Sequence, residues 1–294
     1  MIREYLRPES VEEAVSLGVH FGDKARYIAG GTELIARIKE RQANPSCLIS
    51  LKGIPGIDRI EEREREVWIG ALVTHRQIEF SPLVRRHFPA LIDAVENIGS
   101  VQIRNVATLC GNIATAIPSA DGAIPLIVLG ARVCLTGPRG ERVMALEDFF
   151  VGPRQTVLEQ GEILSRIIVP KSPPRTGSTY WKHMRRSALE LPLLGVAGLL
   201  SLSEDGKTCL EARIGLGVVA PTPMRAVHAE NILKGKKLDD ALLTEAGKAA
   251  AGECRPRDTA RGEAWYRKEM VEVLVPRVIR ICLDRISSAP EGHG

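Results

Sequence analysis

Two glycine-containing segments carry the residues of this chain that are best suited to chemistry. The first covers residues 29–34 (AGGTEL), and the second covers residues 108–114 (TLCGNIA). Glycine lets the backbone approach a ligand closely and present its N–H groups to that ligand. Each segment follows a short apolar or β-branched stretch, and the first leads into a helical pattern. Two such segments in one chain predict the two halves of a diphosphate clamp, and therefore a dinucleotide cofactor.

The first segment also has a purely structural interpretation, as a tight turn from a strand into a helix. It lacks the G-x-G-x-x-G pattern of Rossmann folds and the lysine of a P-loop, so neither common nucleotide motif accounts for it. If a helix begins here, Thr32 is the expected N-cap, and Glu33 is expected to pair with Arg37. A phosphate at that N-terminus would be favoured by free N–H groups and the helix dipole.

Polar residues follow the second segment closely. Thr108 offers a hydroxyl, Asn112 offers an amide, and Thr115, Ser119 and Asp121 come within a few positions. Asp121 is suited to accept a hydrogen bond from a ribose hydroxyl, as acidic residues do in other dinucleotide sites. It is equally suited to cap a helix that begins there.

Lys182 lies in a segment rich in cations and aromatic residues, residues 181–186 (WKHMRR). One interpretation is a strand edge with a solvated charged face. The other places the lysine near an anionic ring system or a diphosphate. No catalytic residue is predicted, because the histidines have no acidic or nucleophilic motif partners nearby.

Composition excludes several classes of function. The chain has 294 residues, of which 44% are hydrophobic and 26% charged, typical of a globular protein of about two domains. Its net charge of +4 comes with interspersed acidic residues, so no nucleic-acid binding is expected. Its six cysteines form no C-x-x-C pair, which predicts reduced thiols in a cytoplasmic protein and no metal site. Neither a signal peptide nor a membrane span is expected.

Hydrophobic patterns change character along the chain. The N-terminal part mixes short strands and helices. A Pro- and Gly-rich stretch at residues 170–178 predicts a linker. Long apolar strands and then helices follow it, which predicts an α+β protein. The main predicted elements are strands at 26–28, 67–69 and 163–169, helices at 89–98 and 121–129, a hairpin at 131–146, strands at 193–202 and 209–219, and helices at 224–233, 239–252 and 259–286.

Together these segments resemble the FAD-binding medium subunit of the molybdenum hydroxylases, the family of xanthine dehydrogenase and aerobic carbon monoxide dehydrogenase. The resemblance spans nearly the whole chain. Several ordered motifs at family-like spacing are more specific than either glycine segment alone. The segments that carry it are residues 29–34, 69–74 (IGALVT), 103–113 (IRNVATLCGNI), 180–198, 219–226 (VAPTPMRA) and 258–267.

The resemblance implies a fold of two domains. Residues 1–172 would form the two-part α+β FAD-binding domain of the vanillyl-alcohol-oxidase type, with a break between its subdomains near residues 55–60. Residues 178–288 would form a C-terminal domain like that of the carbon monoxide dehydrogenase flavoprotein, an antiparallel sheet with helices.

The resemblance also implies which residues bind FAD. The two glycine segments would hold the pyrophosphate. Asp121 stands where the family has an acid that contacts FAD, Lys182 where a lysine contacts the cofactor, and Leu164 where an apolar residue packs near the flavin. Ile98 occupies a position that is aromatic in some relatives. The full set is Ala29, Gly30, Gly31, Thr32, Glu33, Leu34, Ile98, Thr108, Leu109, Cys110, Gly111, Asn112, Thr115, Asp121, Leu164 and Lys182.

Two departures from the family pattern stand out. Cys110 occupies a position that is most often glycine, so a positive φ is less accessible there. Either Cys110 keeps an ordinary backbone conformation or local strain is tolerated. The chain also lacks the cysteine-rich insertion that holds an extra iron–sulfur cluster in the hydroxybenzoyl-CoA reductase branch.

The implied function is electron transfer within a larger enzyme. A large partner subunit would carry molybdopterin and oxidise the substrate, and a small partner subunit would carry [2Fe-2S] clusters. This chain would receive the electrons on FAD and pass them to NAD, a quinone, oxygen or another acceptor. Two alternatives stay open: an assembly subunit without bound flavin, and a stand-alone FAD oxidase of the vanillyl-alcohol-oxidase type.

Overall fold

The computed structural model describes residues 2–186 and 189–288. Ser187 and Ala188, within the 180–198 segment, lie outside the described residues. The strands are β1 (Glu4–Leu6), β2 (Ala25–Ile28), β3 (Cys47–Ser50), β4 (Ile60–Glu62), β5 (Glu66–Gly70), β6 (Arg132–Gly137), β7 (Gly140–Ala145), β8 (Phe150–Gly152), β9 (Gln155–Thr156), β10 (Ile163–Pro170), β11 (Thr176–His183), β12 (Leu194–Leu202), β13 (Cys209–Gly217) and β14 (Met224–Arg225). The α-helices are α1 (Val11–Phe21), α2 (Leu34–Lys39), α3 (His75–Glu79), α4 (Pro82–His87), α5 (Pro89–Val95), α6 (Val101–Arg104), α7 (Leu109–Ala114), α8 (Ala123–Val128), α9 (Val227–Leu233), α10 (Asp240–Glu253) and α11 (Ala264–Ser288).

The chain folds into two compact units, and each is assembled from more than one segment. The first unit contains the residues up to Ser81 together with Ser100–Ile117 and Gly130–Pro170. The second contains Pro82–Gly99, Pro118–Leu129 and the residues from Lys171 onward. Strands and helices are mixed in both units, and the predicted α+β class is confirmed.

The first unit contains two main sheets. Strands β1, β3 and β2 form a parallel sheet in that order, and all four residues of β3 are buried. Helix α1 packs on this sheet and contributes Ala14 and Val15 to a core shared with Cys47 and Ile49. Ser10 caps α1 by accepting a hydrogen bond from the Glu13 backbone N–H. Burial of both faces is typical of parallel strands and explains the apolar sequence of β3.

The second sheet of the first unit is antiparallel, in the order β4-β5-β10-β6-β7. Its β6–β7 hairpin confirms the hairpin predicted from residues 131–146. Gly140 has a φ of +98° at the turn, a conformation that glycine adopts without strain.

The second unit is built on the antiparallel sheet β11-β12-β13-β14, which is covered on both faces. Gly198 lies against Val278 of α11, and Gly195 lies against Ile124 of α8. These two glycines are three residues apart on β12, so they face opposite sides of the sheet. Burial on both sides explains why β12 is apolar almost throughout, a pattern more common in parallel strands.

Several predicted boundaries are wrong. The linker is shorter than predicted, since β10 continues to Pro170 and β11 starts at Thr176. The helix expected at 224–233 starts at Val227, because Met224 and Arg225 pair with β13 as an edge strand. The last helix starts at Ala264, after a bridge between Thr259 and Gly262. The helix expected at 89–98 ends at Val95.

Within the described part of the chain, no helix combines the length and the apolar character that crossing a membrane requires.

Candidate functional site

The first glycine turn lies directly against the residues that precede the second glycine segment. Strand β2 ends at Ile28, and the chain turns through Gly30 and Gly31 before α2. A Cβ atom on Gly30 would lie 2.0 Å from the carbonyl oxygen of Val106 and 2.9 Å from the Cα of Ala107. Only glycine permits this approach of two backbones. The two predicted segments, distant in sequence, therefore converge in the first unit.

The start of α2 differs from the prediction. Glu33, not Thr32, occupies the N-cap position, and no side chain caps the helix. Gly31 has a φ of +75°, which sets the turn into the helix. Among the described residues, no hydrogen bond engages the backbone N–H groups of Thr32, Glu33 or Leu34. These donors are therefore open to an anion or to solvent.

The expected Glu33–Arg37 pair is replaced by a longer-range one. The Glu33 carboxylate accepts a hydrogen bond from Nη1 of Arg154 at 2.6 Å. Arg154 is 121 residues away and has a positive φ of +61°. Its backbone N–H also donates to the Ala116 carbonyl at 2.8 Å. The arginine thus connects the first turn to the end of the second segment.

The second segment is mainly a short helix, α7, and not the loop that the sequence predicts. Thr108 is its N-cap, and its hydroxyl accepts from the Gly111 backbone N–H at 3.0 Å. Thr115 is the C-cap, and its hydroxyl donates to the Asn112 carbonyl at 2.7 Å. The glycine of this segment therefore sits in the first turn of a capped helix.

Cys110 keeps an ordinary helical backbone, so the alternative of tolerated strain is not needed. Its side chain is buried, with Sγ 3.8 Å from the Gly70 carbonyl oxygen and 3.9 Å from that of Ile69. Burial raises the pKa of the Cys110 thiol well above its usual range, which disfavours the reactive thiolate.

The approach to α7 is held by a neighbouring capped helix. Thr74 and Gln77 form the reciprocal capping box at the start of α3. The His75 backbone N–H donates to the Ala107 carbonyl at 3.0 Å, and the Leu109 N–H donates to the Val73 carbonyl at 3.1 Å. These two hydrogen bonds fix the position of residues 106–109, the stretch that includes the residues facing Gly30.

In the second unit, Asp121 and Lys182 form a buried ion pair. Nζ of Lys182 lies 2.9 Å from Oδ2 of Asp121, with side chains 2% and 5% exposed respectively. The same Nζ donates to the Asn97 carbonyl at 2.8 Å, and the Tyr180 hydroxyl donates to Oδ1 of Asp121 at 2.6 Å. Burial raises the pKa of Asp121, although Lys182 and Tyr180 act in the opposite direction.

Both structural alternatives for these two residues are wrong. Lys182 does not form a solvated strand face, because its side chain is buried. Asp121 does not cap α8, since Gly122 occupies the N-cap position. The ion pair satisfies both charges where water is excluded.

The predicted residues are thus divided between the units. Leu164 is buried on β10 opposite Leu135, in the same unit as both glycine segments. Ile98 is half-buried and follows Asn97, the residue whose carbonyl accepts from Lys182. The members in the first unit are residues 29–34, 108–112, 115 and 164, and those in the second are Ile98, Asp121 and Lys182.

Sequence reasoning missed three participants. Tyr180 could have been found, because strand alternation puts it on the same face as Lys182. Arg154 could not, since nothing near it in sequence points to Glu33. The Val106 carbonyl could not either, because it acts through its backbone.

All six cysteines are buried free thiols. Within residues 2–186 and 189–288, no three His, Cys, Asp or Glu side chains cluster as a metal site requires.

Comparison with known proteins matches two families to this chain. The family described as "FAD binding domain in molybdopterin dehydrogenase" matches residues 1–172, and "CO dehydrogenase flavoprotein C-terminal domain" matches residues 178–281. The carbon monoxide dehydrogenase medium chain of Afipia carboxidovorans is 35% identical over 276 residues, covering 94% of this chain and 95% of that protein. The nicotinate dehydrogenase FAD-subunit of Eubacterium barkeri is 31% identical over 287 residues, covering 96% and 97%.

A solved structure of carbon monoxide dehydrogenase from Hydrogenophaga pseudoflava contains a similar chain. The two chains superpose with a TM-score of 0.93 at 35% identity, over 97% of this chain and 98% of that one.

Proposed function

The chain belongs to the FAD-binding medium subunits of the molybdenum hydroxylase family, and from this premise we propose that it transfers electrons within a multi-subunit dehydrogenase. Its relatives are oxidoreductase subunits. FAD held by this chain would supply the redox chemistry: it would take electrons from the [2Fe-2S] clusters of a small partner subunit and pass them to an external acceptor such as NAD or a quinone. A large molybdopterin-binding subunit oxidises the substrate.

The observation that carries the proposal is the contact between Gly30 and Val106. The residues present fit a dinucleotide there, because the absence of a side chain on Gly30 lets the two glycine segments lie side by side with their backbones in contact. The open N–H groups of residues 32–34 provide donors for phosphate oxygens. The family match independently identifies the domain as one that binds FAD.

We propose that the sixteen residues predicted from the sequence contact different parts of FAD. Residues 29–34 and 108–112 bind the diphosphate, with Thr115 as a further polar group, and Leu164 provides an apolar contact. Asp121 and Lys182 supply charged contacts, and Ile98, at a position that is aromatic in some relatives, is a further contact of the cofactor. We also propose that residues 1–172 form the FAD-binding domain and that residues 178–288 form the C-terminal domain.

The cytoplasm is the proposed location, since six free thiols are typical of a reducing compartment. The name "medium chain" of a 35% identical relative supports assembly with other chains.

Purification from the native source tests the proposal. We expect this chain to co-purify with a molybdopterin-containing subunit and an iron–sulfur subunit, and to release FAD on denaturation. Substrate added anaerobically should bleach the flavin absorbance, and NAD⁺, a quinone or oxygen added next should restore it. The acceptor that restores it fastest identifies the physiological class.

The two alternatives give different results, and the comparisons do not favour either. An assembly subunit would co-purify with partners but would release no FAD on denaturation, even after incubation with FAD. A stand-alone oxidase would carry flavin and turn over substrate without partners. Either result would overturn the electron-transfer proposal.

A further inference from the structure

Tyr180 and Lys182 hold the two oxygens of a single carboxylate separately. They lie two residues apart on β11, so their side chains leave the same face of the sheet. The Tyr180 hydroxyl donates to Oδ1 of Asp121 at 2.6 Å, and Nζ of Lys182 lies 2.9 Å from Oδ2. Two donors on opposite oxygens fix the rotation of the carboxylate as well as its position.

The backbone of Tyr180 is itself anchored. Its N–H donates to Oδ2 of Asp93 at 3.0 Å, and the Thr179 hydroxyl donates to the same oxygen at 2.8 Å. Arg285 holds Asp93 through two hydrogen bonds of 2.9 Å, one to each carboxylate oxygen. Bidentate pairs of this kind have little freedom.

The hydroxyl of Tyr180 lies against Gly195 of the neighbouring strand, β12. A Cβ atom on Gly195 of β12 would lie 2.6 Å from that oxygen. Tyr180 is 5% exposed, so its ring has little room to move away. The position of this hydroxyl is therefore determined from β11, from α5 and from β12.

We propose that Tyr180 is a positioning residue for the carboxylate of Asp121. The inference rests on the proposed function, in which Asp121 contacts FAD. Tyr180 acts through Asp121 and does not itself touch the cofactor. A carboxylate that is already oriented loses less conformational entropy when the cofactor binds.

This positioning role predicts a change in the pKa of Asp121 when the hydroxyl is removed. The groups acting on Asp121 among the described residues are Lys182 and Tyr180, and both lower its pKa against the opposing effect of burial. Removing the hydroxyl raises the pKa of Asp121, so the carboxylate is protonated at higher pH.

The test uses the full-length chain and FAD titration between about pH 5 and about pH 8. Tyr180→Phe keeps the ring and removes the donor. We expect about tenfold weaker FAD binding near neutral pH, because hydrogen bonds to charged groups are among the strong ones. The pH below which FAD affinity falls should also move upward. The matched control is Tyr27→Phe, whose hydroxyl donates only to the carbonyls of Ala14 and Gly161.

A second variant reaches the same hydroxyl from the other side. Gly195→Ala should weaken FAD binding in the wild-type background and cost less in the Tyr180→Phe background. The collision with the hydroxyl oxygen is then gone, and the Cβ meets only Cδ1 of Ile124 at 2.7 Å and Cε2 of residue 180 at 3.0 Å. It also keeps the test valid if Tyr180→Phe does not fold. Unchanged affinity and pH profile in Tyr180→Phe, or strictly additive effects of the two changes, would overturn the inference. A wild-type chain that binds no FAD would instead overturn the proposed function.

Discussion

Gly30 and Val106 approach so closely that a Cβ atom on Gly30 would lie 2.0 Å from the Val106 carbonyl oxygen. The two residues are far apart in sequence, yet they bring the two glycine segments together. Neither contributes a side-chain functional group. Because the contact joins two backbones, even a single methyl group at Gly30 would disrupt it.

Gly30→Ala should lose most of its FAD. The added methyl group collides with backbone, which cannot rotate away, so the two segments must separate and stability should fall by about 2 kcal/mol. Flavin absorbance per protein and urea denaturation measure the two effects. Gly252→Ala is the control, since nothing lies within 4 Å of its Cβ position and alanine is favoured in helices. Full FAD occupancy in Gly30→Ala would contradict the assignment of the clamp.

His75 should make the protein less stable in mild acid. Its Nδ1 is buried without a hydrogen-bond partner among the described residues, and burial together with Arg104 lowers its pKa from 6.5 to about 4. Between these two pKa values the unfolded chain binds a proton at His75 and the folded protein does not. The free energy of unfolding therefore falls as the pH drops from 6.5 toward 4. Between about pH 7 and about pH 5 the loss should be about 2 kcal/mol.

The measurement is urea denaturation at both pH values, with His75→Leu as the comparison. Other groups titrate in both proteins, so the difference between their pH dependences isolates His75. Equal pH dependence in the two proteins would show that His75 is not held neutral.

Lys182→Met should destabilise the second unit by about 3 kcal/mol, because it leaves the buried Asp121 carboxylate without its cation. The double variant with Asp121→Asn should lose less than the sum of the single changes. Denaturant unfolding of the three variants gives the coupling energy. Arg280→Met breaks the exposed pair with Asp240 and should cost under about 0.5 kcal/mol. A coupling energy near zero would mean that the buried pair does not act as a unit.

Arg267→Met should also be strongly destabilising, although no carboxylate among residues 2–186 and 189–288 is bonded to Arg267. Its guanidinium is 1% exposed and donates to the carbonyls of Leu193 and Arg257 and to the Thr259 hydroxyl. Burial lowers the pKa of this arginine. Removing it takes the donor from the buried bond to the Leu193 carbonyl and from the part-buried bond to the Arg257 carbonyl, at a cost of about 3 kcal/mol.

The midpoint of thermal unfolding measures this effect. Arg277→Met is the control, because Arg277 lies on the same helix with an exposed side chain. If both variants melt at the same temperature, the hydrogen bonds of Arg267 contribute nothing to stability.

Local patterns in the sequence predicted the elements whose stability is local. The β6–β7 hairpin, predicted from residues 131–146, depends on neighbours a few residues away, and it is present. Ordered motifs along the chain also identify the correct family. Predictions were wrong where a local preference competed with a distant partner, as for Thr32 and the strand pairing of Met224.

The sequence by itself determined the fold class and the family. Only the tertiary structure decided that Gly30 lies against Val106, that Glu33 pairs with Arg154 and that Asp121 pairs with Lys182. The physical reason is separation along the chain. Helix caps and strand alternation are fixed by residues within one or two turns, whereas these three contacts join distant segments that only the packed fold brings together.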